Sequence, residues 1–249
     1  MSPIGFHPTL LEIAMVSLQN VPTANRLLAN LPRKDREHFL AGCDEVDLVL
    51  DDILSEPGER LRYVYFPTGS IISLLTPVLE NEVLEVGLVG NEGMFGASLV
   101  LGVNASSFRG LVQGAGSAWR MEAAPFRREL DSSPALQRVL RRYVYVVVSQ
   151  LAQTSACTRF HLVEARLARW LLMTHDRAHS DQLHVTHEFL SYMLGVRRVG
   201  ITKAATALQN RKLIRYSRGE VTILDRSGMR AAACLCYEAD KATYNRIMC

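Results

Sequence analysis

Residues 187–206 read HEFLSYMLGVRRVGITKAAT, and the spacing in this stretch fits two helices joined by a very short turn. Helices that cross steeply need apolar side chains to fill the corner and a residue that tolerates positive φ at the bend. Leu190, Leu194, Val196 and Ile201 occupy the inward positions, Ser191 is small where the helices cross, and Gly195 opens the turn. Ala204 is the weak member of the corner, and Thr186 is placed to cap the first helix. Arg197, Arg198, Thr202 and Lys203 are left facing outward near the start of the second helix. Guanidinium groups grip guanine O6 and N7 in pairs, while hydroxyl and ammonium groups suit bases or phosphates. The stretch therefore predicts a helix shaped for a major groove.

The surroundings support that reading. Residues 197–218 contain Arg197, Arg198, Lys203, Arg211, Lys212, Arg215 and Arg218 and no acidic residue. Leu213 to Tyr216 and Val221 to Leu224, joined through Arg218-Gly219, predict a β-hairpin that lies as a wing along the DNA backbone and adds Arg218 to the contacts. A solvated basic face on a small helical domain explains any one of these features. It does not explain why corner pattern, charge and hairpin coincide.

Farther out, the charge divides. Residues 1–130 hold 10 Lys/Arg against 16 Asp/Glu, and residues 131–249 hold 18 against 9, so a net −6 front half is joined to a net +9 back half. Two domains with different partners are expected, the second partner a polyanion. The whole chain of 249 residues is 48% hydrophobic and 21% charged, which excludes disorder for most of it. No uncharged apolar run approaches the length of a membrane span, and the five scattered cysteines suit a reducing cytoplasm. The expectation is a soluble cytoplasmic protein with no membrane partner.

The acidic half carries short β-prone runs, Val46 to Leu50, Arg62 to Phe66, Ser70 to Leu75, Val83 to Val89 and Gly110 to Gln113, separated by turn residues such as Pro57-Gly58 and Glu80-Asn81. They predict a jelly-roll or β-roll. A short helical pair is expected ahead of them, around Asn25 to Leu31 and Lys34 to Cys43. After them, Ser132-Ser133-Pro134 predict a helix start, and Leu136, Leu140, Tyr143, Val147, Gln150 and Thr154 follow the alternating steps of a coiled-coil seam. Val144, Val148 and Leu151 form a second stripe beside it. One stripe is expected to meet the β domain and the other a second copy of the chain, with the six seam residues assigned to the dimer interface. The β-branched run from Tyr143 to Val148 also fits a buried strand, but some 25 residues without Gly or internal Pro favour helix. Another amphipathic helix is expected through Val163, Leu167, Trp170, Leu171 and Thr174.

The expected organisation is α+β: an N-terminal extension over 1–25 with at most a short helix near Leu10 to Leu18, a β-roll sensor over 26–132, a dimerisation helix over 133–159, and a winged helix-turn-helix over 160–249. In this order, and in the segments YVYFPTGSIISLL (63–75), VGNEGMFG (89–96) and LGVRRVGITKA (194–204), the chain resembles the Crp/Fnr superfamily of bacterial transcription regulators over about residues 26–230.

That resemblance implies a homodimer whose β domain senses a small effector and whose second winged-domain helix enters the major groove at a palindromic site, with RNA polymerase a candidate partner. It places Arg198 and Lys203 where the family has base- or phosphate-contacting residues, with Thr202 and Arg197 beside them. Val199 stands where many members have a base-reading glutamate. In the effector cassette Gly96-Ala97 replaces the Gly-Glu that grips a ribose, followed by Arg109-Gly110. Gly96 and Arg109 are thus the effector candidates, a cyclic nucleotide is doubtful, and the ligand is unknown. Only Cys43 falls in residues 1–130, which argues against an iron–sulfur cluster there, and no histidine lies between His38 and His161, which argues against a metal cupin.

His175, His179, His184 and His187 are read as solvated rather than zinc-binding, and Cys234 and Cys236 as inert thiols rather than a switch, so no metal site is expected. No catalytic constellation is evident, and no enzyme is expected. The functional expectation is a homodimeric, sequence-specific DNA-binding transcription regulator. The alternative is a ligand-binding or scaffold module whose basic domain does not read DNA.

Overall fold

The computed structural model describes residues 25–79, 82–178 and 180–249. The expected short helix near Leu10 to Leu18, the Glu80-Asn81 turn and His179 lie outside the described residues. The helical pair is present as α1 (Arg26–Ala29) and α2 (Arg33–Ala41). Asn25 starts it: its side chain accepts from the Leu28 amide at 3.0 Å and donates to the Pro67 and Gly93 carbonyls at 2.9 Å each. Phe39 of α2 packs edge-on against Phe66 and Phe126, with ring centroids 5.3 and 6.4 Å apart.

The front half is an antiparallel roll of β1 (Asp44–Leu48), β2 (Ile53–Ser55), β3 (Tyr63–Pro67), β4 (Ile71–Leu79), β5 (Glu82–Val89), β6 (Arg109–Gly114) and β7 (Gly116–Glu122). Its two sheets run β1-β7-β3 and β2-β6-β4-β5, and they enclose one core through Val64, Phe66, Ile72, Val89, Val112 and Ala118. Pro77 is tolerated because β4 pairs with β6 only over Ile71–Leu75, so the proline falls where β5 alone remains alongside. The sequence reading missed β2 and β7. The second reads GSAWRME and lacks a β-branched run, yet it is the central strand of its sheet. Small residues suit it: a side chain on Gly116 would meet the Gly69 carbonyl at 2.4 Å.

After α3 (Ala123–Ser132), the long helix α4 spans Pro134–Phe160, with the Ser133 hydroxyl accepting from the Leu136 amide at 3.2 Å and Pro134 in the first turn. Helix prevails over the strand preference of Tyr143 to Val148 because the run sits far from either end and buries Leu136, Leu140, Tyr143 and Val146 along one face. That face packs on the roll.

This packing corrects the assignment of the dimer seam. Leu136, Leu140 and Tyr143 are buried in the core of their own roll, and Val147 packs beside them. Gln150 lines a cleft with Arg177 and Tyr244, and Thr154 accepts from Arg169 Nη2 at 3.2 Å. Leu136, Leu140 and Tyr143 are thus taken by their own chain, while Val147, Gln150 and Thr154 stay partly exposed. The free stripe carries Arg141, Tyr145, Val148, Ala152 and Ser155, flanked by half-buried Val144 and Leu151. Heptad spacing cannot say which of two adjacent stripes a chain keeps for itself; the bulkier one offers more area and is taken by the intramolecular core.

The back half consists of α5 (Val163–Ala178), β8 (Gln182–His184), α6 (His187–Leu194), α7 (Arg198–Asn210), β9 (Ile214–Ser217), β10 (Glu220–Ile223), α8 (Arg226–Ala232) and α9 (Cys236–Met248). The last two helices were not read from sequence. Helix α9 returns to the roll, where the Tyr244 hydroxyl donates to the Glu92 carbonyl at 2.9 Å. The two halves share apolar packing of Ile71, Leu75 and Leu88 with Leu167, Trp170 and Leu171. Arg177 of α5 donates to Glu92 Oε1 from Nη2 at 2.7 Å and from Nε at 3.0 Å.

Glu85 is buried in this junction, accepting from the Ser73 hydroxyl at 2.8 Å and from Trp170 Nε1 at 2.7 Å. Burial raises its pKa from 4.5 to about 7, against the two hydrogen bonds that lower it. The folded state therefore holds this proton more tightly than the unfolded chain, so the group's contribution to stability is full below about pH 4.5 and is lost as pH rises to about 7. Glu85→Gln removes this loss. Urea unfolding at pH 4.5 and pH 8 is expected to show the variant gaining on the wild type by on the order of 3 kcal/mol across that window; parallel pH profiles would place the carboxylate in a solvated setting.

Candidate nucleic-acid interface

The corner folds as the spacing predicts. The Thr186 hydroxyl accepts from the Phe189 amide at 3.1 Å, and Gly195 ends α6 in the left-handed region at φ 58°. Leu190, Leu194, Ile201 and Ala204 are buried, and Val196 packs against them. Ala204 fits because the corner is also filled from α5, by Leu167 and Leu171. Helix α7 is 13 residues long, about 20 Å at the usual rise, and its outer face is free.

Arg198, Thr202 and Lys203 are exposed on that face, as is Val199, and Arg197 is exposed at the N-cap of α7. No acidic residue lies in the first turn of α7 and no side chain caps it, so its positive end adds to the charge of the two arginines. Thr202 donates to the Arg198 carbonyl at 3.1 Å and lies 3.1 Å from His187 Nδ1. The His187 ring stacks on Tyr216 of β9 at 4.4 Å, which ties helix face to hairpin. Burial, then the charge of Arg198, holds the His187 pKa below its ordinary value.

The hairpin β9–β10 turns through Arg218 at φ 53° and Gly219 at φ 85°, the left-handed pair that a two-residue turn needs. The Arg218 side chain is exposed at the tip, and Arg215 is exposed on β9. The structure thus brings Arg198, Thr202 and Lys203 onto one face of α7, with Arg197 at its N-cap and Arg218 on the adjoining wing.

The two effector candidates are not joined in one site. Gly96, at φ 93°, lines a cleft with Ser98, Ser106 and Phe108. Arg109 lies outside that lining, buried in β6, and donates from Nε to Glu56 Oε2 at 2.9 Å. An anion at Arg109 must compete with Glu56. The histidines also go separate ways: His175 pairs with Asp181, His184 with Glu220, and His187 stacks on Tyr216.

A second grouping was missed from sequence. Cys157 and His161 at the end of α4 meet Cys234 of the α8–α9 link and Cys236 at the start of α9, all four donor atoms lying within 4.8 Å of one another. Their only local signals are the four-residue step from Cys157 to His161 and the Cys-Leu-Cys triplet at 234–236. The long stretch of chain separating His161 from Cys234 hides the convergence. No helix among the described residues is long and apolar enough to cross a membrane.

Residues 165–232 match the Crp-like helix-turn-helix domain family. No curated protein matches the chain. Among solved structures it is similar to FixK2 from Bradyrhizobium japonicum, at 11% identity and a TM-score of 0.66 over 77% of this chain and 98% of that one. It is similar to the c-di-GMP-responsive global regulator CLP of Xanthomonas campestris, at 14% identity and a TM-score of 0.65 over 78% and 100%. A CRP/FNR-family transcriptional regulator of Thermus thermophilus aligns at 19% identity and a TM-score of 0.62 over 76% and 98%. These likenesses are of fold. Residues 165–232 thus carry a Crp-like helix-turn-helix domain, and the chain as a whole has the fold of these regulators.

Proposed function

We propose that the chain acts as a homodimer that reads a palindromic DNA site, one copy of α7 in each of two successive major grooves. The observation that carries this reading is the exposed set Arg198, Thr202 and Lys203 on one face of α7, with Arg197 at its N-cap and Arg218 on the adjoining hairpin. In this reading Arg198 and Arg197 meet base edges, Lys203 and Arg218 meet phosphates, and Val199 offers a methyl surface to thymine where relatives carry a carboxylate. The second copy docks on the free stripe of α4. Tyr145 and Val148 are 53% and 59% exposed there, and Ala152 and Ser155 are small enough to let two helices approach. This registers the two recognition helices about one turn of DNA apart.

The β roll serves as the regulatory domain in this proposal. A cyclic phosphate at Arg109 is disfavoured by the Glu56 pair, so the effector is of another chemistry or acts elsewhere on the roll. The family role is transcription regulation, and we assign the chain no catalytic activity. We place it in the cytoplasm, where its operator would be.

Arg198→Ala is expected to weaken binding to a selected operator by about 1–3 kcal/mol and to relax preference at one base pair. Lys203→Ala should weaken all duplexes alike and lower the salt slope by about one. Anisotropy titration at fixed salt checks both, and unchanged affinity in Arg198→Ala removes that residue from the interface. Absence of any duplex binding at low salt would favour the scaffold alternative.

Val148→Glu places a charge in the proposed seam and is expected to give monomers of unchanged fold by sedimentation. Tyr143→Glu should instead unfold the roll, because Tyr143 is buried within it. A Val148→Glu protein that stays dimeric refutes the seam.

A further inference from the structure

Cys157, His161, Cys234 and Cys236 form a closed set of three thiols and one imidazole, the donor composition of a structural zinc site. Cys157 Sγ lies 3.5 Å from Cys234 Sγ, and Cys236 Sγ lies 3.5 Å from His161 Nδ1. For a tetrahedral ion with Zn–S near 2.3 Å and Zn–N near 2.05 Å, the edges are about 3.8 Å between sulfurs and about 3.6 Å from sulfur to nitrogen. The two observed spacings are close to those edges, and the sulfur–sulfur one is too long for a disulfide. The three cysteines are buried, while His161 is exposed as the cap of α4, which leaves an entry path.

We propose that these four residues bind one zinc ion, which locks the end of the long helix α4 to the α8–α9 link. As each Zn–S bond forms, the thiol gives its proton to solvent; a divalent ion with three thiolates and a neutral imidazole carries a net charge of −1. Counter-charge comes from Arg166, which is buried and lines the same pocket as Cys157, while buried Arg169 donates to Thr154 Oγ1 at 3.2 Å and is already paired with Asp240 Oδ2 at 2.7 Å.

The same shell reaches the DNA-binding corner, because Arg166 Nη2 donates to the Leu194 carbonyl at the end of α6. Zinc occupancy would thus set the mount on which α6 and α7 are carried. The site rests on the cluster alone and stands apart from the reading of α7 as a DNA reader.

The test uses the full chain, purified under reducing conditions, stripped with a chelator and then titrated with Zn²⁺ or Co²⁺ alone. Expected are one equivalent of metal per chain, the intense visible bands of tetrahedral cobalt with thiolate charge transfer, and a rise in melting temperature on zinc addition. Cys234→Ser should lower zinc affinity on the order of 100-fold or more. Cys249→Ser, at an exposed position outside the cluster, should leave it unchanged. His161→Ala, at an exposed helix cap, keeps the test valid if Cys234→Ser does not fold, and it should weaken binding on the order of 10-fold or more. Failure to take up either metal, uptake indifferent to Cys234 and His161, or isolation with iron and inorganic sulfide instead would each overturn the zinc assignment.

Discussion

The structure depends on how α4 divides its two apolar stripes. Leu136, Leu140 and Tyr143 are committed to the roll, with the Tyr143 hydroxyl donating to the Met94 carbonyl at 3.3 Å. That approach is possible only because residue 93 is glycine: a Cβ there would lie 2.2 Å from the tyrosine oxygen. The packing fixes the azimuth of α4, so the opposite stripe, with Tyr145 and Val148, is turned to solvent. Helix α4 then runs out to the start of α5, on which the corner of α6 and α7 is held. The Arg177–Glu92 pair and buried Glu85 fasten that arrangement to the roll.

Much of this was legible in the sequence because it rests on local rules. Gly195 at a left-handed position, Thr186 as a cap, and Arg218-Gly219 at a tight turn are each demanded by backbone geometry within a few residues. Ser133 before Pro134 marked the start of α4 in the same way. The exposed face of α7 followed from helical spacing, which leaves Arg197, Arg198, Thr202 and Lys203 outward once the corner is filled.

The parts that were not legible depend on long-range partners. Strand β7 is held by β1 and β3 on either side, so small residues serve where a β-branched run would be sought. The face of α4 that meets the roll depends on where Gly93 and Met94 stand, some fifty positions away. Arg109 looked like an anion hook because Glu56 is 53 positions from it in the chain. The cysteine–histidine cluster is assembled by the return of α9 along α4, and neither α8 nor α9 announced itself in the pattern.

The central claim is that two copies of α7 read successive major grooves. Protection of guanine N7 from methylation on an operator selected by the full chain tests it most directly, since that atom faces the major groove. Two protected clusters centred about 10 base pairs apart on one face of the duplex are expected. A single cluster, or binding that leaves every guanine N7 open to methylation, would contradict it.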